Sequence, residues 1–413
     1  MTNVLNNKNV ISKLSVGIIS LIILWSIYPF FLWSHRGIIY FFLSSVFIFL
    51  RFVLWGKKIK FDMSLAFTIF FGFFLYEYVR LREGTGLTGI VSFCFQVITF
   101  ILVLLMRDEE KCSIIKTSTT IFAWICGLSL IIYILVVLLH VQLPYSIIEY
   151  DKTRGNNYPP FKNYMFLLVP QEEFVIWIRF QSVFLEPSFI GNYGAVFLYI
   201  NHYDLKRKNV FIIFLAMLFS LSLAGYVLLI LGYGIHLLSD GKHFYRKLGI
   251  MITMFVIILG IGYYVYEKFP DSILSTLIIG RLQLDNDKGI SGNNRQNSSF
   301  NYQYNLFKKT DDYLFGLGSR FTTEIIRGRK AISASYQTFI FINGLIGISF
   351  LFLFYVSIFI CEKNKLLFGL LLLKIIGFLQ YPYGMWEIEL FIFICAGSFF
   401  KMQNNKTDLK MAI

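Results

Sequence analysis

The sequence predicts an all-α fold, a polytopic bundle of membrane-spanning helices with two long external loops. Long apolar runs recur from Ser12 to Phe400. The composition is 56% hydrophobic and only 15% charged, and the mean hydropathy is +0.64. A helix that crosses a bilayer needs roughly 20 mostly apolar residues, and its backbone polar groups must be bonded within the segment. The whole chain, residues 1–413, is therefore expected to form a single integral membrane domain.

The apolar runs divide the chain into about twelve candidate spans of the length that a bilayer requires. In chain order they are residues 12–32, 37–55, 63–79, 88–106, 117–140, 187–201, 208–222, 224–239, 248–266, 337–360, 365–380 and 386–400. Only Leu223, Ala224 and Gly225 separate the seventh from the eighth, which predicts either a tight hairpin or one broken helix. Two long polar loops remain, at residues 141–186 and 267–335.

Lysine and arginine in the short loops predict the orientation of the bundle. One side carries Lys8, Lys13, Lys57, Lys58, Lys60, Arg107, Lys111, Lys116, Lys206, Arg207, Lys208, Lys242, Arg246, Lys247, Lys363, Lys365, Lys401, Lys406 and Lys410. The short loops of the other side carry only Arg36, Arg80 and Arg82. Both termini of this multi-pass chain are therefore predicted to be cytoplasmic and both long loops external, in the periplasm if the cell is Gram-negative.

The formal net charge of +14 comes largely from these cytoplasmic rims. Basic rims of this kind face anionic lipid head groups. Membrane lipids are therefore expected partners, whereas nucleic acid is not. Arg51, near the cytoplasmic end of its span, is expected to snorkel to the membrane surface.

The first long loop ends in two charged residues, each of which has two competing interpretations. Arg179 lies in the apolar segment 174–180, where it either snorkels at the membrane interface or faces a cavity as a phosphate ligand. Pro187 suits the first position of a helix, which places Glu186 at the positive helix end. Glu186 is thus either a helix cap or a carboxylate that can do chemistry.

The second long loop is basic, with ten Lys or Arg against six Asp or Glu between Lys268 and Lys330. Because arginine pairs bidentately with phosphate oxygens, this excess favours an anionic partner such as a pyrophosphate-linked lipid. Aromatic side chains in the external segments are candidates for platforms under sugar rings. They are Tyr158, Tyr164, Trp177, Tyr302, Tyr304 and Tyr336.

Lys374 lies inside an otherwise apolar run, where an ammonium group is costly and must face protein or water. Glu77, Glu387 and Glu389, near external ends of spans, are candidate partners. The lysine therefore belongs either to a structural ion pair or to a proton or ion pathway, and a pathway would favour a transporter.

Three short signatures accompany the long loops. The first is Arg179 followed by Phe184-Leu185-Glu186-Pro187-Ser188 and Gly191; the second is Arg295 followed by Tyr313-Leu314-Phe315-Gly316-Leu317-Gly318; the third is Ser335-Tyr336 leading into Asn343-Gly344-Leu345-Ile346-Gly347. In order and placement they resemble the signatures of the Wzy-type O-antigen and capsule polymerases, within the O-antigen ligase superfamily.

The sequence departs from the family pattern at two places. The ligase branch has a histidine eleven residues before the glycine that matches Gly344, whereas this chain has Ser333 there and no histidine in either long loop. A ligase that uses that histidine as its base is therefore disfavoured. The family often shows Ser-Arg-x-Gly after a middle span, whereas this chain reads Ser222-Leu223-Ala224-Gly225, so no arginine role is transferred to that position.

The resemblance implies an O-antigen polymerase, a membrane glycosyltransferase of lipopolysaccharide biosynthesis that joins undecaprenyl-pyrophosphate-linked repeat units on the periplasmic face. The growing glycan on its lipid carrier is the donor and a new lipid-linked repeat unit is the acceptor. A chain-length regulator is a further candidate partner, and neither a cofactor nor a metal is implied. An O-antigen ligase and a flippase or transporter of lipid-linked oligosaccharide stay open as alternatives.

The resemblance also implies roles for individual residues. Arg179 and Arg295 are expected to stabilise the leaving pyrophosphate, because cations must be aimed at its developing charge. Glu186 is the candidate base for the acceptor hydroxyl. Weaker candidates for substrate binding are Arg281, Arg320, Arg327 and Tyr336.

Overall fold

The computed structural model of the chain describes residues 2–27, 29–33, 36–54, 64–81, 87–150, 159–171, 178–239, 298–318, 336–380 and 388–411, with short pieces between 245 and 290 and residue 385. Within these ranges the chain is mostly helical. It divides into two compact units, which are described separately. Unit 1 combines Met1–Phe122 with Ser298–Ile413, and unit 2 is Ala123–Asn297.

The helices, in chain order, are α1 (Thr2–Ser26), α2 (Arg36–Leu54), α3 (Ser64–Leu81), α4 (Leu87–Leu104), α5 (Asp108–Tyr133), α6 (Pro187–Ile200), α7 (Lys208–Ser220), α8 (Leu223–Ser239), α9 (Ser298–Phe307), α10 (Asp312–Phe315), α11 (Tyr336–Glu362), α12 (Lys365–Gln380) and α13 (Ile388–Met411). A 3₁₀ turn, Phe30–Leu32, follows α1, and a π-helical turn, Ile134–Leu138, extends α5. Most of these helices begin and end within two residues of a predicted apolar run.

The first long loop contains a small sheet that the sequence did not predict. Strands β1 (Ser146–Ile148), β2 (Phe161–Asn163) and β3 (Leu168–Pro170) pair in that order, and both pairings are antiparallel. In the second loop, β4 (Leu284–Asp285) pairs with β5 (Gly289–Ile290). Strands of two or three residues are too short to show the alternation of apolar and polar residues by which a strand is predicted.

Two helical stretches among the described residues, Asp108–Leu138 and Tyr336–Glu362, are long and apolar enough to cross a membrane on length and composition. Shorter apolar stretches lie in α1–α4, α7 and α8. More than half of the ninth predicted span, residues 248–266, falls outside the described residues, and its end, 263–266, is helical.

Large apolar side chains point outward along single faces of two helices. On α2, Ile38, Phe42 and Phe49 are 72%, 64% and 67% exposed, and on α5, Trp124 and Ile131 are 63% and 59% exposed. Spacings of four and seven residues place the members of each set on one side of their helix. Apolar surface of this kind is unfavourable in water.

The core of unit 1 is aromatic. Phe70 on α3 packs against Phe100 on α4 and Phe354 on α11, with ring centroids 4.8 and 5.2 Å away. Phe100 also stacks on Phe391 of α13, with centroids 4.0 Å apart. Four helices therefore meet on flat side chains that offer large contact areas.

Buried charges join three helices at one end of unit 1. The Glu110 carboxylate on α5 accepts hydrogen bonds from Ser12 Oγ on α1 (2.6 Å) and from Arg51 Nη1 on α2 (2.9 Å). The side chain of Arg51 is only 13% exposed in this ion pair. The expectation that Arg51 snorkels is therefore wrong, because a carboxylate inside the protein already pairs with its charge.

In unit 2, α6 is the central helix. Every residue from Ile190 to Ile200 is buried. Helices α7 and α8 pack mainly against α6 rather than against each other, and only Leu221 and Ser222 separate them. Leu221 adopts a left-handed conformation with a φ of 46°. Gly225 at the start of α8 lies against Gly191 of α6, whereas His236 near the end of α8 lies 5.8 Å from the Tyr199 ring, by the end of α6 where α7 begins. The chain therefore reverses between α7 and α8, so of the two predicted alternatives the junction is the hairpin, with both helices packed on α6.

Candidate functional site

The segment 178–186 in unit 2, which contains Arg179 and Glu186, is held by hydrogen bonds at every second residue from 178 to 182. Tyr133 Oη donates to the Ile178 carbonyl at 2.7 Å, and the Phe180 N–H donates to the Phe219 carbonyl at 3.1 Å. Ser182 accepts a backbone hydrogen bond from the Leu168 N–H at 2.8 Å, and its hydroxyl lies 2.6 Å from the Ser129 hydroxyl. These contacts tie the segment to α5, α7 and β3.

Arg179 lies at the end of α7, half-buried. Its Nε–H donates to the Ser220 carbonyl at 3.1 Å, and Tyr226 of α8 lies within electrostatic range of the guanidinium. A cation is favourable at a helix C-terminus, where carbonyl groups lack helical partners. The guanidinium carries five N–H donors, of which Nε supplies this one. Arg179 therefore contributes to the stability of the α7 end through this contact.

Glu186 is the N-cap residue of α6 and Pro187 follows it at the start of the helix, which confirms the predicted helix start. The Glu186 side chain makes no capping hydrogen bond to the helix backbone. Instead, its Oε2 accepts a hydrogen bond of 2.8 Å from Ser188 Oγ. The carboxylate thus lies at the positive helix end, as predicted, but makes no capping hydrogen bond to the helix backbone, so both interpretations stay open.

Gly191, the glycine of the first signature, lies against Ser222 and Gly225, in the segment where this chain departs from the family pattern. A Cβ added at Gly191 of α6 would lie 2.8 Å from Ser222 Oγ and 2.9 Å from the Cα of Gly225. Real Cβ atoms do not approach so closely, so both positions need glycine for α6 and α8 to cross. The sequence offered a signal for this contact, because small residues on two helices allow close backbone approach.

In unit 1, the second and third signatures are in direct contact. The Leu317 N–H donates to the Phe341 carbonyl at 2.7 Å, and the Gly318 N–H donates to the Ile342 carbonyl at 3.0 Å. These carbonyls become available because α11 is interrupted at Gly344, which has φ 68° and ψ −176°. The Asn343 carbonyl accepts a hydrogen bond of 2.7 Å from Tyr76 Oη of α3.

Two glycines make this contact possible. Gly316 has a φ of 80° and Gly344 a φ of 68°, in the left-handed region that favours glycine. A Cβ at Gly316 would collide with the Ile342 carbonyl, and a Cβ at Gly344 would collide with the Leu314 carbonyl. We call this contact between residues 314–318 and 341–344 the glycine interlock. Tyr76 Oη also contacts the Phe315 carbonyl, so the phenol contacts both sides of the interlock.

Tyr336 belongs to an aromatic cluster next to the glycine interlock. It packs, with Tyr313, against a buried core that includes Phe300, Tyr304 and Phe341. Burial, then the charge and hydrogen bond of Tyr313 and the charge of Tyr336, raise the pKa of the Tyr304 hydroxyl well above its usual range. Tyr304 is only 3% exposed, so the prediction that its ring is a platform for sugars is wrong.

The first-loop sheet places another of the predicted platform residues beside an exposed ring. Tyr164 packs against Tyr145, with ring centroids 5.4 Å apart, and Lys162 Nζ lies 5.1 Å from the Tyr145 ring centroid. Burial and the neighbouring Tyr145 raise the pKa of Tyr164. Tyr145, which the sequence did not single out, is 49% exposed.

Lys374 of α12 pairs with Glu389 of α13 inside unit 1, with side-chain exposures of 2% and 3%. Among the described residues, Glu389 is the predicted partner that pairs with Lys374, and Glu387 lies outside them. A buried pair of opposite charges agrees with the structural interpretation of this lysine, and the proton or ion pathway stays a prediction.

The remaining predicted site residues, Arg281, Arg295, Arg320 and Arg327, lie outside the described residues, as do Tyr158 and Trp177. Within the described ranges, no group of three or more His, Cys, Asp or Glu side chains is placed to hold a metal ion. No protein-family model, curated protein or solved structure matches the chain.

Proposed function

We propose that this chain is an integral membrane glycosyltransferase that polymerises undecaprenyl-pyrophosphate-linked repeat units on the external face of a bacterial inner membrane. The resemblance of three signatures to the Wzy-type polymerases suggests the reaction. One observation in the structure carries the proposal furthest. The segment 178–186, held by hydrogen bonds, carries a guanidinium near one end and, at the other, a carboxylate that makes no hydrogen bond to the backbone of its helix.

The proposed reaction is a displacement at an anomeric carbon. The acceptor hydroxyl oxygen attacks that carbon, and the bond between the carbon and the pyrophosphate oxygen breaks with its electron pair going to the phosphate. Glu186 takes the proton of the attacking hydroxyl as general base. Arg179, with Arg295 by its place in the second signature, stabilises the negative charge on the departing lipid pyrophosphate.

A membrane location accounts for the outward apolar faces of α2 and α5. Lipid replaces water around a polytopic helical protein, so the exposure of Phe42 or Trp124 costs nothing there. We propose about twelve spans, with the helices of about 20 residues crossing the bilayer. Reporter fusions after Lys60, Lys208, Lys247 and Lys365 should then report cytoplasm, and fusions near Asn157 and Asn293 should report the exterior.

A flippase or transporter is the second candidate. The break in α11 at Gly344 favours it, since discontinuous helices often form the substrate and ion sites of transporters. However, three carbonyls at this break already accept hydrogen bonds from Leu317, Gly318 and Tyr76. These carbonyls are therefore occupied by protein donors, and the polymerase remains the better-supported function.

Deletion of the gene in its native strain, followed by gel analysis of the surface polysaccharide, separates the candidate functions. A polymerase deletion leaves lipid A capped with a single repeat unit. A ligase deletion removes all glycan from lipid A while long chains persist on the lipid carrier. A flippase deletion traps repeat units on the cytoplasmic side. Only the first outcome agrees with the proposal.

A further inference from the structure

Two buried amide side chains, one inside the segment 178–186 and one on the helix that follows it, stand out in unit 2. Gln181 is 2% exposed and Asn192 is 8% exposed. Among the residues that the structure describes, neither Gln181 Nε2 nor Asn192 Oδ1 has a hydrogen-bond partner. Each such atom costs stability, because it has lost its hydrogen bonds to water without replacement.

Both amides belong to the proposed site. Gln181 follows Arg179 by two residues in the segment that α5, α7 and β3 hold in place. Asn192 follows Ser188 by four residues on α6, so it lies one turn further along the same helix face. Since Ser188 Oγ donates to the Glu186 carboxylate, Asn192 extends the polar face that begins at this carboxylate.

Another asparagine at the end of the same helix is satisfied. Asn201 is 5% exposed, and its Nδ2 donates to the Phe197 carbonyl at 2.9 Å. Burial on α6 therefore does not by itself deprive an amide of a partner. The two unpartnered amide atoms belong to the segment before α6 and to its N-terminal half, whereas the satisfied amide is at its C-terminal end.

The hydrogen-bond partners that these two amide atoms lack indicate the chemistry of the ligand that would satisfy them. Gln181 Nε2 is a donor and needs an acceptor, whereas Asn192 Oδ1 is an acceptor and needs a donor. An ionised phosphate supplies acceptors only, and an isoprenoid tail supplies neither. A sugar hydroxyl both donates and accepts, so sugar hydroxyls satisfy these amides even if either amide group is rotated by 180°.

We infer that Gln181 and Asn192 bind hydroxyl groups of the sugar ring attached to the lipid pyrophosphate, next to Arg179 and Glu186. The inference rests on the proposed function, because that function places a sugar at this segment. The two amides then determine specificity for the glycosylated carrier over the bare carrier.

Isosteric apolar variants test this role. Asn192→Leu and Gln181→Met remove the amide groups and keep the side-chain volume, and Asn201→Leu is the matched control. The measurements on purified protein in detergent are the Tm without ligand, the turnover, and the affinity for two probes. One probe is the lipid-linked repeat unit extracted from the deletion strain, and the other is undecaprenyl pyrophosphate without sugar.

We expect Asn192→Leu and Gln181→Met to raise the Tm by about 2 °C, because an unpartnered polar group is removed. Each should weaken binding of the glycosylated probe about fivefold, the loss of one or two neutral hydrogen bonds. Binding of the bare carrier should not change. Asn201→Leu should lower the Tm and leave the affinity for both probes unchanged.

A lower Tm in Asn192→Leu and Gln181→Met, as in the control, or an unchanged affinity for the glycosylated probe would overturn the inference. The amides would then be satisfied by structural water. If wild-type protein binds the glycosylated probe through these amides but does not join repeat units, the sugar site stands and the proposed reaction fails. If wild type joins repeat units and the variants bind as it does, the reaction stands and the sugar site fails.

Discussion

The two signature-bearing regions of the molecule use their residues in opposite ways. In unit 1, the glycine interlock joins backbone to backbone, and its carbonyls at Phe341, Ile342 and Asn343 all accept hydrogen bonds. In unit 2, the segment 178–186 is also held by several hydrogen bonds. Its Glu186 carboxylate makes no hydrogen bond to the helix backbone, and Gln181 in the segment and Asn192 on α6 each have a buried amide atom without a partner in the described part of the chain.

The difference separates architecture from chemistry. A region whose polar groups are paired internally gains stability and has little left to offer a ligand. A region that buries polar groups without partners is less stable than it need be, which is typical of binding and catalytic sites. We therefore expect substitutions in the interlock to affect folding, and substitutions around Arg179 and Glu186 to affect activity.

Gly344→Ala should have the largest effect on the amount of folded protein. Alanine at a φ of 68° is strained, and its Cβ would collide with the Leu314 carbonyl. Together these effects should lower the free energy of unfolding by at least about 3 kcal/mol. Gly17→Ala is the control, since a Cβ there meets nothing within 4 Å. Membrane protein levels and the Tm in detergent are the measurements, and a normal Tm for Gly344→Ala would refute the structural role of the interlock.

Glu186→Gln should lower the polymerising activity at least about 100-fold, because glutamine cannot take the proton of the acceptor hydroxyl. The Tm should stay near that of wild type, since the carboxylate makes no capping hydrogen bond. The measurement is turnover of the lipid-linked repeat unit at matched folded protein, with Glu149→Gln as a control carboxylate in the same loop. Near-normal turnover would return Glu186 to a structural role.

Arg179→Ala should lower the rate roughly 10- to 100-fold, as expected for the loss of one charge-assisted contact to pyrophosphate. Arg179→Lys should recover only part of that loss, because lysine lacks the planar fork. Some stability should also be lost in Arg179→Ala, because the contact with the Ser220 carbonyl disappears. Lys309→Ala is the control. Full-length glycan ladders from Arg179→Ala at normal protein levels would contradict the role in catalysis.

Tyr76→Phe should have the smallest effect, a loss of about 1 kcal/mol of stability with unchanged turnover per folded molecule. Its hydroxyl bonds the Asn343 carbonyl, but backbone N–H groups hold the neighbouring carbonyls without it. The measurement is the Tm, paired with turnover. A large loss of turnover without a change in Tm would show that the glycine interlock takes part in the reaction. The contrast between the two regions would then be wrong.

The sequence by itself determined where most of the helices lie. Apolar runs bounded by charges, Pro or Gly placed α2, α6 and α12 within one residue of their observed ends, because such runs must be buried or face lipid whatever the arrangement of the chain. The sequence also determined the start of α6, since Pro187 suits the first turn of a helix. Glu186 and Arg179 became candidate site residues through the resemblance of their signature, and their roles stay predictions.

Only the tertiary structure decided which polar groups have partners. The sequence predicted α11 as one unbroken run, whereas the structure breaks it at Gly344. The N–H groups that bond the carbonyls at this break come from residues 317–318, some 25 positions earlier, and no local pattern shows them. The contact of Arg179 with Ser220 spans 41 residues, and that of Arg51 with Glu110 spans 59. Periodicity records which face of a helix is apolar, but a hydrogen bond between distant residues depends on how helices pack, which no local pattern contains.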